Sequence, residues 1–189
     1  MKIVFGTPRS GTTFFTRYLF NKYPNCEYLG EHFQPYYFKQ DDTVENRLAS
    51  LKNNSLFKVH IGKELDIRVL DIIKHNPVNV VIRKNKLEQI VSMGLASIAD
   101  KWVTYNNNET YTSGYYKKEW FDDIVYRIEQ FDILYPKLNV SNIFYYEDIP
   151  TYPNNGKLPF KQNKYTLEQS LNMFDNKQEV LEWYNDWIK

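Results

Sequence analysis

The feature that most constrains the fold of this chain is an alternation of short apolar runs with amphipathic segments. Four runs rich in Val, Ile and Phe predict buried strands at residues 2–5, 56–60, 78–82 and 142–146. Such continuous apolar runs are typical of a parallel sheet covered on both faces. Helical periodicity fills the intervals, at residues 12–23, 64–74, 86–102, 116–135 and 167–188, the last as two short helices. The pattern predicts a three-layer α/β fold, with a central parallel sheet flanked by helices.

Composition narrows the class of protein further. Hydrophobic residues make up 42% of the 189 residues and charged residues 25%, which is usual for one globular domain over residues 1–189. The net charge of +1 argues against a protein that binds nucleic acid or an anionic membrane surface. A single cysteine, Cys26, excludes an internal disulfide and favours a reducing compartment. No apolar run approaches the ~18 residues of a membrane span, and the first residues lack a signal-peptide pattern. We therefore expect a soluble cytoplasmic protein without membrane insertion.

A glycine-framed loop at residues 6–13, reading GTPRSGTT, connects the first predicted strand to the first predicted helix. Backbone N–H groups in such a turn converge on an anion, and the helix N-terminus adds partial positive charge. The loop also carries three hydroxyls and the fixed charge of Arg9. Its glycines have the spacing of a P-loop, but Thr12 stands where a nucleotide triphosphatase has lysine. We call residues 6–13 the anion loop and predict that it binds a phosphate-like group.

The anion loop resembles the 5′-phosphosulfate loop of sulfotransferases, whose usual pattern is Pro-Lys/Arg-Ser-Gly-Thr-Thr. This family transfers a sulfuryl group from 3′-phosphoadenosine 5′-phosphosulfate to an acceptor hydroxyl. The resemblance implies a P-loop-like three-layer fold and no metal ion. It also implies that the donor's 5′-phosphate is bound by Arg9, Ser10, Gly11, Thr12 and Thr13. Arg9 would in addition lie near the bridging oxygen and stabilise negative charge during transfer.

A second motif follows the predicted strand at residues 78–82. Arg83 stands at the strand end, and Ser92 lies about two turns into the next helix. In sulfotransferases an Arg and a Ser in this setting bind the donor's 3′-phosphate, and most members place the Ser eight residues after the Arg, where this chain has nine. The segment is similar to bacterial carbohydrate sulfotransferases of the trehalose 2-sulfotransferase type, which also carry an Ala and a Trp where Ala96 and Trp102 stand. A surface salt bridge for Arg83 and a solvated helix position for Ser92 are the alternatives.

Two residues are candidates for the base that takes the proton from the acceptor hydroxyl. Glu31 follows a glycine at the end of a short predicted strand, and carbohydrate sulfotransferases carry their catalytic Glu in a similar setting. His60 ends the strand LFKVH, which resembles the Lys-Thr-His of cytosolic sulfotransferases, and a histidine pKa suits a base near neutrality. The motif around Arg83 favours the carbohydrate branch and therefore Glu31. Lys58 is expected to approach the sulfuryl group or the acceptor, or else to be a surface lysine at the strand edge.

These motifs follow one another in the order found in sulfotransferases. The segment Tyr146-Glu147-Asp148 resembles the one that ends the last core strand of the family, and the basic segment at 161–164 precedes the final helices. The sequence therefore predicts a sulfotransferase that uses 3′-phosphoadenosine 5′-phosphosulfate, releases 3′-phosphoadenosine 5′-phosphate (PAP) and sulfates a hydroxyl, most readily on a carbohydrate. The alternatives are a P-loop nucleotide or small-molecule kinase and a non-catalytic nucleotide-binding protein.

Overall fold

The computed structural model of the protein describes residues 1–34, 42–100, 112–152 and 165–189. These residues belong to two compact units. The first is formed by Met1–Lys84 and Arg127–Leu158, and the second by Asn85–Tyr126 and Pro159–Lys189. Within the described ranges, no helix combines the length and the apolar character needed to cross a membrane. The expectation of a single domain over residues 1–189 stays a prediction.

Five parallel strands form one sheet in the first unit. They are β1 (Lys2–Gly6), β2 (Glu27–Gly30), β3 (Ser55–His60), β4 (Val78–Ile82) and β5 (Val140–Tyr145). Their order across the sheet is β2-β3-β1-β4-β5, and every pair is parallel. The sheet confirms the α/β fold predicted from the four apolar runs and the short strand before Glu31.

Seven α-helices connect or follow these strands in the described residues. They are α1 (Thr12–Lys22), α2 (Val44–Ala49), α3 (Ile67–His75), α4 (Lys86–Ile98), α5 (Lys118–Leu134), α6 (Leu167–Leu171) and α7 (Lys177–Trp187). The sequence did not predict α2, because this helix has only six residues and its apolar side chains, Val44 and Leu48, are only partly buried against the core. The side chain of Thr43 caps it. Helix α4 ends at Ile98, and Trp102 lies outside the described residues.

Helices cover both faces of the sheet in the first unit. On one face, Phe5 of β1 packs in the core with Ile73 of α3, and its ring centroid lies 5.3 Å from that of Phe131 of α5. On the other face, α1 stacks Phe15 on Phe144 of β5 with centroids 4.6 Å apart. Successive side chains of a strand point to opposite faces, so the near-continuous apolar strands can fill both layers. The result is the expected three-layer arrangement.

The carboxyl ends of the strands meet at one edge of the sheet. In the sheet register, Gly6 at the end of β1 pairs with His60 of β3 on one side and with Val81 of β4 on the other. From β1 the chain continues toward β2 at one sheet edge, and from β4 it continues toward β5 at the opposite edge. Ligands of α/β proteins bind at such a switch point, outside the carboxyl ends of the strands. The anion loop begins at this position.

The second unit has its own buried aromatic centre. The Tyr116 ring is fully buried, 5.0 Å from the ring of Phe174 between centroids. The Asn176 side chain accepts a hydrogen bond from the Tyr116 backbone N–H at 2.9 Å and donates one to its carbonyl at 3.0 Å. Gly94 of α4 lies so close to the Tyr116 ring that a Cβ at residue 94 would come within 2.8 Å of the ring. A side chain thus satisfies the buried backbone groups of Tyr116.

Candidate functional site

The anion loop is tightly curled between β1 and α1. A Cβ at Gly6 would come within 2.8 Å of the Thr12 methyl group and 3.0 Å of the Val81 carbonyl oxygen, so the space admits only glycine. Gly11, the N-cap of α1, has a φ of 91°, and Arg9 has a φ of 63°. A non-glycine residue in the left-handed region is uncommon and is found preferentially at functional sites. The loop therefore has the local geometry expected of a binding loop.

The loop presents the beginning of α1 to any bound group. The first N–H groups of a helix have no acceptor within the helix, and Gly11 has no side chain with which to cap them. Ser10 is fully buried, and its hydroxyl donates to the Thr7 carbonyl at 2.7 Å, which tightens the turn. Amides at a helix N-terminus favour an anion through both hydrogen bonds and the helix dipole. The predicted loop residues from Arg9 to Thr13 thus lie together at the end of β1.

Strand β3 brings two polar side chains against the first turn of α1. Lys58 and His60 are two residues apart, so they point to the same face of the sheet, the face that α1 covers. The Lys58 ammonium donates to the Thr13 hydroxyl at 2.5 Å. The His60 Nε2 lies 2.6 Å from the Thr12 hydroxyl oxygen. Lys58 and His60, the two candidates on β3, therefore contact Thr13 and Thr12 of the anion loop directly.

Glu31 contacts the same ammonium group. Gly30 ends β2 with a φ of 62°, a conformation that favours glycine, and the chain then turns toward β3. The Glu31 Oε1 lies 2.5 Å from the Lys58 Nζ. Phe33 holds this turn in place, because it is buried with its ring centroid 5.4 Å from that of Phe57. Lys58 thus bridges the preferred base candidate and the anion loop.

The surroundings of this cluster change two pKa values. The Lys58 side chain is only 5% exposed, and burial lowers the pKa of its ammonium, while Glu31 acts in the opposite direction. Burial also holds the pKa of His60 well below its ordinary value, and the positive charges of Lys58 and Arg127 lower it further. His60 is therefore a neutral imidazole at neutral pH, with one ring nitrogen able to accept and the other able to donate.

A polar cleft opens beside Glu31 and the end of β3. Its lining combines two carboxylates, two cations, an imidazole and an amide with apolar groups: Glu31, Phe33, Gln34, Lys58, Val59, His60, Gly62, Glu64, Leu65 and Arg127. Several convergent hydrogen-bonding groups in one concavity are typical of a site for a polar small molecule. Both candidate bases face this cleft.

Sequence reasoning missed Arg127, which lines the cleft from α5. Its guanidinium donates to the Ile61 carbonyl at 3.2 Å, directly after β3. It lies against Gly62 so closely that a Cβ there would overlap it. The available signal was its position in the apolar stripe that includes Ile128 and Phe131, where a cation is unexpected.

Arg83 lies at the end of β4 beside the anion loop. Its side chain is 2% exposed, and it donates to the Arg9 carbonyl at 3.2 Å. The guanidinium lies 4.1 Å from the centre of the Tyr146 ring, in cation–π geometry. A Cβ at Gly11 would come within 2.9 Å of the same ring. The segment that follows β5 thus supports both Arg83 and the loop.

Ser92 lies on α4 and is half-buried. It belongs to the second unit and Arg83 to the first. A shared 3′-phosphate site formed by the two therefore stays a prediction. The basic segment at 161–164 lies outside the described residues.

Comparisons of the chain with family models, with curated proteins and with solved structures found no match.

Proposed function

We propose that the protein is a sulfotransferase that uses 3′-phosphoadenosine 5′-phosphosulfate and acts on a hydroxyl of a carbohydrate. One observation carries the proposal: the anion loop, Lys58, His60 and Glu31 form a single cluster of contacts at the carboxyl ends of β1 and β3. A loop for an anionic donor and a carboxylate beside a polar cleft are the two parts that group transfer to a hydroxyl requires.

The loop residues fit the 5′ end of the donor. The tight packing of the loop at Gly6, the left-handed turn at Gly11 and the start of α1 together suit a phosphate-like anion. Arg9, Ser10, Gly11, Thr12 and Thr13 would hold this group, and the donor supplies the sulfuryl group that is transferred. Arg83, buried at the end of β4, would hold the 3′-phosphate.

Positive charge near the loop would assist transfer. The sulfuryl group gains negative charge on its oxygens as the bond to the donor breaks, as in phosphoryl transfer. Arg9 carries a fixed charge within the loop, and Lys58 lies buried against Thr13. In a buried setting a fixed positive charge stabilises such developing charge more strongly than it would in water.

Glu31 is the proposed base. Its Oε1 is held by Lys58, and the carboxylate also borders the polar cleft, where an acceptor hydroxyl would approach. A carboxylate in this position takes the proton from the hydroxyl as its oxygen attacks sulfur. The hydrogen-bonding groups around the cleft, including Gln34, Glu64 and Arg127, suit an acceptor with several hydroxyls.

The experiment is transfer of labelled sulfate from the donor to a panel of sugars and other hydroxyl compounds. Wild type should label at least one carbohydrate. Glu31→Gln should reduce turnover about 10²–10⁴-fold, the usual contribution of a general base, and leave PAP affinity almost unchanged.

The matched variant His60→Asn should reduce turnover less. If His60→Asn abolishes transfer while Glu31→Gln stays near wild type, the base is His60 and the assignment to the carbohydrate branch fails. No transfer to any acceptor by a folded protein that binds PAP would leave the non-catalytic alternative.

A further inference from the structure

We propose that β3 tunes the anion loop through its side chains: Lys58 and His60 hold the hydroxyls of Thr13 and Thr12 and direct their protons toward a bound anion. Both would be positioning residues, since they act on the nucleotide through the two threonines. The inference rests on the proposed function, because it concerns how the same site binds its donor.

The contact between Lys58 and Thr13 determines what the hydroxyl can do. A hydroxyl has one proton to donate and two lone pairs, whereas an ammonium can only donate. Lys58 therefore occupies a lone pair of the Thr13 oxygen, 2.5 Å away, and leaves the hydroxyl proton for another acceptor. Because the Lys58 side chain is 5% exposed, its charge polarises this hydroxyl with little screening by water. A polarised hydroxyl is a better donor to an anion.

The contact between His60 and Thr12 resembles the contact between Lys58 and Thr13, except that the imidazole of His60 is neutral. Their N–O distance is 2.6 Å. When the His60 Nε2 carries the ring proton, it donates to the Thr12 oxygen, and the hydroxyl proton is directed elsewhere. The other tautomer would accept the hydroxyl proton instead. An anion at the start of α1 therefore favours the tautomer that donates, and His60 then acts as Lys58 does.

The two contacts give β3 a role on the donor side in addition to its place in the lining of the polar cleft. Lys58 touches both Thr13 and Glu31, so one ammonium fixes the distance between the anion loop and the proposed base. His60 is in contact with the loop hydroxyl, which supports Glu31 rather than His60 as the base.

The experiment is a pair of double-mutant cycles on the full chain, read out as PAP affinity by calorimetry. Lys58→Met and Thr13→Val should each weaken binding about tenfold or more, the range for hydrogen bonds that involve charged groups. The double variant should be no weaker than the single variants, because both remove the same interaction. His60→Leu and Thr12→Val should show the same coupling with smaller effects, since His60 is neutral.

Three further variants separate this role from a general loss of structure. Thr13→Ser keeps the hydroxyl and should bind as wild type does. Lys52→Met, at an exposed lysine that pairs with Glu27 away from the anion loop, is the matched lysine control and should bind PAP as wild type does. Thr16→Val is the control on α1, because the Thr16 hydroxyl donates to the backbone carbonyl of Thr12 and has no hydrogen bond to β3 among the described residues. If Lys58→Met does not fold, the cycle of His60→Leu with Thr12→Val decides.

The outcomes also distinguish this inference from the proposed function. PAP binding with additive effects in the cycles, or Thr13→Ser as weak as Thr13→Val, would overturn the role of β3 and leave the sulfotransferase proposal intact. Binding of pyrophosphate but not of PAP, with coupling in the cycles, would support the role of β3 and contradict the sulfotransferase proposal. Binding of neither anion would overturn both.

Discussion

At the scale of single residues, the site depends on cations whose neighbours fix their orientation. Arg83 illustrates this, because its guanidinium is held by the Arg9 carbonyl and by the face of Tyr146. A planar guanidinium so oriented can bind a phosphate with two parallel hydrogen bonds. The orientation of Arg83 is therefore as important as its charge.

We predict that Arg83→Ala weakens binding of PAP by about 1.5–3 kcal/mol per lost hydrogen bond and affects turnover much less at saturating donor. The measurement compares nucleotides with and without the 3′-phosphate. The variant should lose the preference for the 3′-phosphorylated form, and Arg83→Lys should restore only part of it, since lysine lacks the planar fork. Equal weakening of both nucleotides would mean that Arg83 acts only by holding the anion loop.

The sequence identified most of the polar residues of the cluster but few of their pairings. Arg9, Lys58 and Glu31 stand out at predicted strand ends, because the carboxyl ends of parallel strands meet at one edge. The ion pair between Lys58 and Glu31 could not be predicted, since it depends on the turn at Gly30 and on the packing of Phe33. Such contacts join residues far apart in sequence.

At the scale of secondary-structure elements, the junction between β1 and α1 determines where the anion loop lies in the fold. Strand β1 delivers the loop to the middle of the sheet, and α1 starts directly after Gly11. Gly6 permits the close approach of Thr12 and of the neighbouring strand β4. The glycine pattern in the sequence predicted this junction, whereas α2 was not predicted, because it is short and its two apolar side chains are only partly buried.

We expect Gly6→Ala to destabilise the fold by about 1–3 kcal/mol, because the added methyl group would crowd Thr12 and the Val81 carbonyl. It should also weaken PAP binding. Gly30→Ala is the matched control: its φ of 62° makes alanine costly by roughly 1–2 kcal/mol, but the nearest atom to the added group is 3.8 Å away. Denaturant unfolding and PAP titration of both variants check the prediction. Equal PAP affinity in Gly6→Ala and wild type would contradict the role of the loop.

At the scale of the whole molecule, partly buried neutral histidines link folding to pH. Burial lowers the pKa of both His60 and His32 in the folded chain. An unfolded histidine has a pKa of about 6.5, so below that pH the unfolded state binds protons that the folded state does not. The free energy of unfolding should therefore be fully maintained above about pH 7 and fall as the pH drops below about 6.5.

We predict a loss of up to about 1.4 kcal/mol per pH unit for each of the two histidines in this window. Denaturant unfolding at a series of pH values measures it. His60→Asn should reduce the slope of unfolding free energy against pH by up to the contribution of one bound proton. In the double variant with His32→Asn, the free energy of unfolding should be nearly constant between about pH 5 and 6.5. The acidic groups whose pKa is lowered, such as Asp66 with a pKa of about 2, act only at lower pH. A slope unchanged by His60→Asn would contradict the burial of a neutral imidazole at the loop.

As the sulfotransferase that we propose, the protein binds a nucleotide phosphorylated at both its 5′ and 3′ positions, at the anion loop and at Arg83. The most direct measurement is thermal unfolding with PAP, with Mg-ATP and without ligand. PAP at 100 times its dissociation constant should stabilise the folded chain by roughly 2.7 kcal/mol and raise the melting temperature, whereas Mg-ATP should produce little shift. A clear shift with Mg-ATP and none with PAP would contradict the sulfotransferase account and favour a kinase.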